Sequence, residues 1–136
     1  MKNYVYVIRG VPPDISPYDY YQRSLFWEGN KPEIFRCQQT LITQHTDKDE
    51  DAPLLTGPLS LRIDFTFPPP AKGRRTRVTH PPMTKRPDLK TLIIFLMEIG
   101  VGTVYHSINQ IVDLHCTKAY HAQPSTTLTF SPAVIV

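Results

Sequence analysis

The clearest structural signal in the sequence is an alternating segment that ends in a run of prolines. Between residues 60 and 67, apolar side chains alternate with polar ones, and the apolar positions are Leu61, Ile63, Phe65 and Phe67. A period of two predicts a β-strand with one buried face. The following Pro68-Pro69-Pro70 ends the strand, because proline has no amide hydrogen to continue a ladder. The fold therefore contains a sheet with one covered face.

Two segments predict helices. The first starts near Asn30, has Pro32 and Glu33 in its first turn, and leads into an acidic loop at residues 47–51. Its apolar face is predicted to contain Ile34, Cys37, Leu41 and His45. The second helix begins at Asp88 and ends at Gly100 or Gly102. Its segment from Leu92 to Met97 is apolar on every face, so we expect burial on several sides, part of it by a second subunit.

Three further strands are indicated. They cover Tyr4 to Ile8, Gln110 to Tyr120, and the alternating positions Thr126, Leu128 and Phe130. The predicted fold class is α+β, a mixed sheet with two main helices. At 136 residues we expect one domain, residues 1–136, with a basic proline-rich loop at about residues 68–87.

Composition limits the cellular setting. No secretory signal is visible at the start of the chain, and no apolar run approaches the ~20 residues that cross a bilayer. The two cysteines, Cys37 and Cys116, have no metal-type spacing and are expected to be free thiols. We therefore expect a cytoplasmic protein that has no membrane partner.

The charge distribution is uneven. Between Pro68 and Lys90, seven basic residues face the single acid Asp88, a balance of +6, whereas the whole chain carries +3. The rest of the chain therefore carries −3. A cationic segment on an acidic body is typical of a phosphate-binding surface, although a solvated basic loop has the same composition. The candidate DNA-binding residues are Lys72, Arg74, Arg75, Arg77, Lys85, Arg86 and Lys90.

Two motifs carry a family resemblance. The first is Thr84-Lys85-Arg86-Pro87-Asp88-Leu89-Lys90, which opens the apolar helix, and the second is Tyr105-His106-Ser107-Ile108-Asn109-Gln110-Ile111-Val112. Their order and spacing resemble the RusA family of Holliday-junction resolvases, whose members read K-P-D-x-D-N-L-x-K-F and Y-x-D-D-x-Q-I-V. The similarity runs without a gap from about Lys85 to Tyr120.

The resemblance implies a homodimeric, Mg²⁺-dependent endonuclease that acts on four-way DNA junctions. Of the family's acidic set, the first aspartate of the helix start is present as Asp88, the candidate catalytic and metal-binding residue. The second falls on Lys90, the family lysine on Ile94, and the downstream aspartate pair on Ser107 and Ile108. One carboxylate is a weak Mg²⁺ site, and Asp88 also suits a helix cap.

The expected function is therefore a divergent RusA-like protein that binds branched DNA in recombination and repair, with weak or lost cleavage. One alternative is an active endonuclease with a rearranged metal site. Another is an interaction protein that kept the scaffold without handling DNA.

Overall fold

The computed structural model describes residues 3–15, 31–49, 51, 53–70 and 83–133. Within these residues the chain forms four strands and two α-helices, with a short 3-10 helix before the third strand. In chain order the elements are β1 (Tyr4–Arg9), α1 (Lys31–Lys48), β2 (Leu59–Phe67), α2 (Leu89–Gly100), the 3-10 helix (Ile108–Gln110), β3 (Ile111–Tyr120) and β4 (Ser125–Pro132).

The four strands form one mixed sheet in the order β1-β4-β2-β3. β2 and β3 are parallel neighbours, and α2 supplies the crossover that a parallel pair requires. β4 runs antiparallel to both β1 and β2. The predicted α+β class, with a mixed sheet and two main helices, is confirmed.

The core lies between the helices and one face of the sheet. β2 buries the alternating positions Leu59, Leu61, Ile63, Phe65 and Phe67. α1 buries the four predicted residues Ile34, Cys37, Leu41 and His45. α2 buries Leu92, Phe95, Leu96 and Ile99, whereas Ile93, Ile94 and Met97 remain partly exposed. Burial of the remaining face of α2 by a second subunit therefore stays a prediction.

α1 also covers the outer edge of β1. The Gln44 side chain accepts a hydrogen bond from the Val7 amide at 2.8 Å and donates one to the Val7 carbonyl at 2.7 Å. In the next position, His45 is buried; its Nε2 donates to the Pro53 carbonyl at 2.8 Å, so its Nδ1 accepts from the Tyr6 hydroxyl at 2.6 Å. These bonds satisfy polar groups that burial would otherwise leave without partners.

α2 ends at Gly100, where an aromatic ring occupies the space that a side chain would need. A Cβ at residue 100 would lie 2.6 Å from atoms of the Tyr105 ring. The Tyr105 hydroxyl donates to the Met97 carbonyl at 2.5 Å, which holds the ring against the helix. Gly100 is the last residue of α2, and Gly102 has a left-handed backbone, with φ 79°, in the turn that follows.

Several element boundaries differ from those predicted. β1 extends to Arg9, one residue further than expected, and α2 begins at Leu89, with Asp88 as its cap. Asp47 and Lys48 belong to the last turn of α1 rather than to an acidic loop. β3 begins at Ile111, one residue later than expected, because Gln110 closes the 3-10 helix.

The cysteines and the helices can be compared with what composition predicted. Cys37 and Cys116 are free thiols. Neither helix in the described part of the chain is both long enough and apolar enough to cross a bilayer.

Candidate functional site

Asp88 caps the N-terminus of α2. Its Oδ1 accepts a hydrogen bond from the Thr91 amide at 2.9 Å, and its backbone is extended, with φ −80° and ψ 161°. Hydrogen bonding by Thr91, and then the positive charges of Lys118 and Lys90, lower the pKa of Asp88 below its ordinary value. The carboxylate is thus an ionised cap, as one interpretation of the sequence expected.

Lys118 of β3 holds the turn that precedes α2. Its Nζ donates to the Lys85 carbonyl at 2.6 Å and to the Pro87 carbonyl at 2.7 Å. The backbone adds one bond, from the Met83 amide to the Lys118 carbonyl at 3.3 Å. The turn from Met83 to Asp88 is therefore attached to the end of β3.

Lys118 was not predicted from the sequence as part of the site. On β3 this residue lies opposite Phe65 of β2, and so on the face of the sheet that carries the core. The signal was a cation two positions beyond Cys116, in the same alternation as the apolar residues Leu114 and Cys116. A lysine at such a position needs polar partners for its ammonium group, and here these partners are the two carbonyls of the turn.

The turn and the helix start form a small basic surface. Lys85, Arg86 and Lys90 are exposed, and Asp88 is the acidic residue among them. The N-terminus of α2 adds the partial positive charge of its unpaired amides. We call this group, together with Lys118, the basic turn. Its chemistry suits an anion with several oxygens, such as a phosphate of nucleic acid.

The downstream motif lies at the other end of α2. Tyr105 contacts Gly100 at the end of the helix, and Ser107 follows two residues later. α2 has 12 residues, so about 18 Å separates its two ends. Asp88 and Ser107 of one chain therefore cannot be ligands of one metal ion.

Ser107 and its neighbours have a structural role. The Ser107 hydroxyl accepts from the Asn109 amide at 3.2 Å, and the Gln110 side chain accepts from the amides of His106 and Ser107 at 2.7 and 2.9 Å. The same Gln110 amide group donates to the Leu55 carbonyl at 2.9 Å. This capping box fixes the 3-10 helix against the loop before β2.

These residues do not fit a magnesium ion. Mg²⁺ requires oxygen ligands in octahedral geometry, usually with more than one carboxylate. Asp88 uses one oxygen for its cap, and its pKa is lowered first by hydrogen bonding from Thr91 and then by the positive charges of Lys118 and Lys90. In residues 3–15, 31–49, 51, 53–70 and 83–133, no three His, Cys, Asp or Glu side chains come together as a metal site.

The remaining predicted DNA-binding residues are Lys72, Arg74, Arg75 and Arg77, and all of them lie outside the described residues. The structure thus brings together Lys85, Arg86, Asp88 and Lys90 of the predicted set and adds Lys118. Whether these residues bind DNA stays a prediction.

The family model of the RusA endodeoxyribonucleases matches residues 21–130, which is most of the chain. The chain belongs to the RusA family. No curated protein matches it.

RusA membership associates the chain with Holliday-junction resolvases, a family of DNA-binding nucleases that are typically dependent on a divalent metal. The match includes both of the motifs described above, from Thr84 to Val112. Compared with the RusA pattern, the chain keeps Asp88 and has Lys90 where a second aspartate is usual. The family is thus typically metal-dependent, whereas the residues around Asp88 do not suit a metal ion.

Proposed function

We propose that this RusA-family protein binds branched DNA through the basic turn and that its cleavage of DNA is weak or absent. The observation that carries the proposal is the environment of Asp88. Its carboxylate caps α2, and the two charges that lower its pKa are lysines, Lys90 and Lys118. A metal-dependent nuclease needs acids around its ion, whereas a phosphate needs cations.

Phosphate contacts supply the affinity in this proposal. Lys85, Arg86 and Lys90 are exposed within one short segment, so one stretch of DNA backbone can contact all three. Lys118 supports them indirectly, because it holds the two carbonyls of the turn that carries Lys85 and Arg86. The predicted contacts from Lys72, Arg74, Arg75 and Arg77 would extend the same surface.

Preference for a junction over a linear duplex requires two such surfaces. A homodimer, which the resemblance implies, would present two basic turns at a fixed separation. Two arms of a branched molecule can contact both turns at once, whereas a linear duplex runs in one direction and can contact only one of them. Selectivity would then come from the spacing of the two turns, since phosphate contacts carry no direct sequence information.

Binding and cleavage should be measured on the same preparation. One labelled four-way junction and a linear duplex of equal length are titrated at low salt, where electrostatic binding is strongest. Each sample is then incubated with Mg²⁺ or Mn²⁺ and resolved for nicked products. We expect tighter binding of the junction and little or no product.

Asp88→Asn separates the capping role from a catalytic one. Asparagine is as good an N-cap as aspartate, so the variant keeps the helix start and loses only the negative charge. If the parent protein nicks the junction and Asp88→Asn does not, the chain is an active nuclease with a rearranged site. If neither protein binds branched DNA at low salt, the scaffold serves another interaction.

A further inference from the structure

An open cleft lies on the face of the sheet away from the core, at the end where β1 stops. Arg9 of β1 is opposite Ser125 of β4, and Ser125 is opposite Thr66 of β2. All three side chains are on this outer face, because the residues beside them in each strand are buried in the core. They line a cleft of about 640 Å³, which we call the outer cleft.

The loop between β3 and β4 forms one wall of the outer cleft. This loop passes the end of β2, where the Thr66 hydroxyl accepts a hydrogen bond from the Ser125 amide at 2.8 Å. At the β1 side, the Pro124 carbonyl accepts from the Gly10 amide at 3.0 Å, which joins the loop to the end of β1. The cleft is therefore built on backbone that the sheet fixes, as preformed binding sites are.

The outer cleft has a positive charge. Arg9 lines it from β1, and among the residues that the structure describes its exposed guanidinium forms no ion pair. None of the described residues that line the cleft is acidic. The next outward residue of β2 is Asp64, and its two carboxylate oxygens are bonded to Arg62 and Thr117. A cation that no lining carboxylate neutralises favours the binding of an anion.

Further hydrogen-bond donors line the outer cleft. Ser125 and Thr127 of β4 provide hydroxyl groups, and His121 lies on the loop wall. The Nδ1 atom of His121 is 3.0 Å from the Gln123 amide nitrogen and 3.2 Å from the Gln123 carbonyl oxygen. A neutral ring that accepts from this amide has its hydrogen on Nε2, and a protonated ring, which donates to the carbonyl, also has one there. A guanidinium, hydroxyl groups and an N–H group are donors that suit the oxygens of a phosphate.

The outer cleft and the basic turn are at the same end of the sheet, on opposite faces. Ala119, which follows Lys118 in β3, pairs with Thr66 of β2. Thr66 is in the same row as Arg9, so this row crosses three strand spacings, about 14 Å. One strand of DNA has a phosphate every ~3.4 Å along its axis, so about four nucleotides cover that distance. DNA that lies across this end of the sheet can therefore contact both the basic turn and the cleft.

We infer that the outer cleft binds a phosphate group through Arg9 and the donors around it. In the DNA complex this group is a backbone phosphate a few nucleotides away from those at the basic turn, and this part of the inference rests on the proposed function. A free phosphate compound presents the same oxygens and is the other source. Arg9 precedes residues 21–130, which the RusA family model matches, so membership of the family assigns no role to it.

Arg9→Gln tests the contact with DNA. Loss of one phosphate contact should reduce the slope of log K against log salt for a four-way junction by about 0.9. Between about 50 and 200 mM salt, the variant should therefore lose about 3.5-fold less affinity than the wild-type protein. Arg62→Gln is the matched control, because it removes an exposed cation from the same face whose charge is paired with Asp64. Its slope should equal that of the wild type, and thermal unfolding shows that both variants are folded.

A neutral group placed in the cleft tests its position without a change of charge. In a Cys116→Ser background, in which the remaining Cys37 is buried, Thr127→Cys puts a thiol in the outer cleft. Thr129→Cys puts one on the same face of β4, outside the lining of the cleft. Each thiol is then labelled with an uncharged maleimide. We expect the label to weaken junction binding and reduce the salt slope with Thr127→Cys, and to change neither with Thr129→Cys. Equal effects of the two labels, or no effect of either, would overturn the position of the site.

Pyrophosphate distinguishes the two sources of the phosphate. Its stabilisation of the wild-type protein against thermal unfolding is compared with that of Arg9→Gln and Arg62→Gln. Stabilisation that only Arg9→Gln removes supports a site for free phosphate compounds, even if the wild-type protein binds no DNA and the proposed function fails. A reduced DNA slope in Arg9→Gln supports the contact with DNA. If the protein binds the junction and Arg9→Gln changes neither the slope nor the stabilisation, the proposed function stands and this inference is refuted.

Discussion

Removing the three exposed cations of the basic turn should change how DNA affinity depends on salt. Each cation that contacts a phosphate releases counterions and adds about 0.9 to the slope of log K against log salt. Lys85, Arg86 and Lys90 are exposed together at the start of α2, so replacing all three with glutamine should reduce the slope by about 2.7. Between about 50 and 200 mM salt, the wild-type protein should therefore lose about 40-fold more affinity than the triple variant.

The assay is fluorescence anisotropy of a labelled four-way junction at several salt concentrations, with thermal unfolding to show that the variant is folded. Arg62→Gln is the matched control, because it removes one exposed cation from β2 on the face of the sheet away from the core. Its slope should stay close to that of the wild type. The claim that the basic turn contacts DNA phosphates would be refuted in two cases. One is an unchanged slope in the triple variant, and the other is a decrease in slope for Arg62→Gln as large as the decrease per cation in the triple variant.

Three further substitutions test the local structure by thermal or denaturant unfolding. Lys118→Met removes two charge-assisted bonds to the turn and should lower the free energy of unfolding by about 1–3 kcal/mol, and no loss would mean that the ammonium does not hold the turn. Asp88→Ala should destabilise the protein more than Asp88→Asn, because alanine cannot cap the helix. The pKa of Asp88 is lowered in the folded protein, so its charge stabilises the fold above the ordinary aspartate pKa of 3.8. This stabilisation is lost as the pH falls through the folded pKa. Gly100→Ala places a Cβ against the Tyr105 ring and should cost about 1–3 kcal/mol, whereas a neutral effect would show that the ring can move aside.

Periodic segments were predictable from the sequence because their burial pattern is local. The alternation from Leu61 to Phe67 and the spacing of Ile34, Cys37 and Leu41 each identified the buried face that the structure has. Asp88 was also predictable as a cap, since an aspartate after Pro87 and before an apolar run is typical of a helix start.

The missed features depend on contacts between distant segments. Lys118 reaches the turn only because β3 lies parallel to β2, and strand pairing is not visible in one sequence. The Gln110 side chain joins the 3-10 helix to the loop before β2. Its hydrogen bond to the Leu55 carbonyl connects residues that are 55 positions apart in the sequence.

The most direct test of the central claim is a comparison of junction binding and nicking with chelator and with Mn²⁺. If the start of α2 binds phosphate rather than a metal, the protein should bind the four-way junction equally well in chelator and release no nicked product when Mn²⁺ is added. Binding that requires Mn²⁺, together with nicking that Asp88→Asn abolishes, would contradict the account.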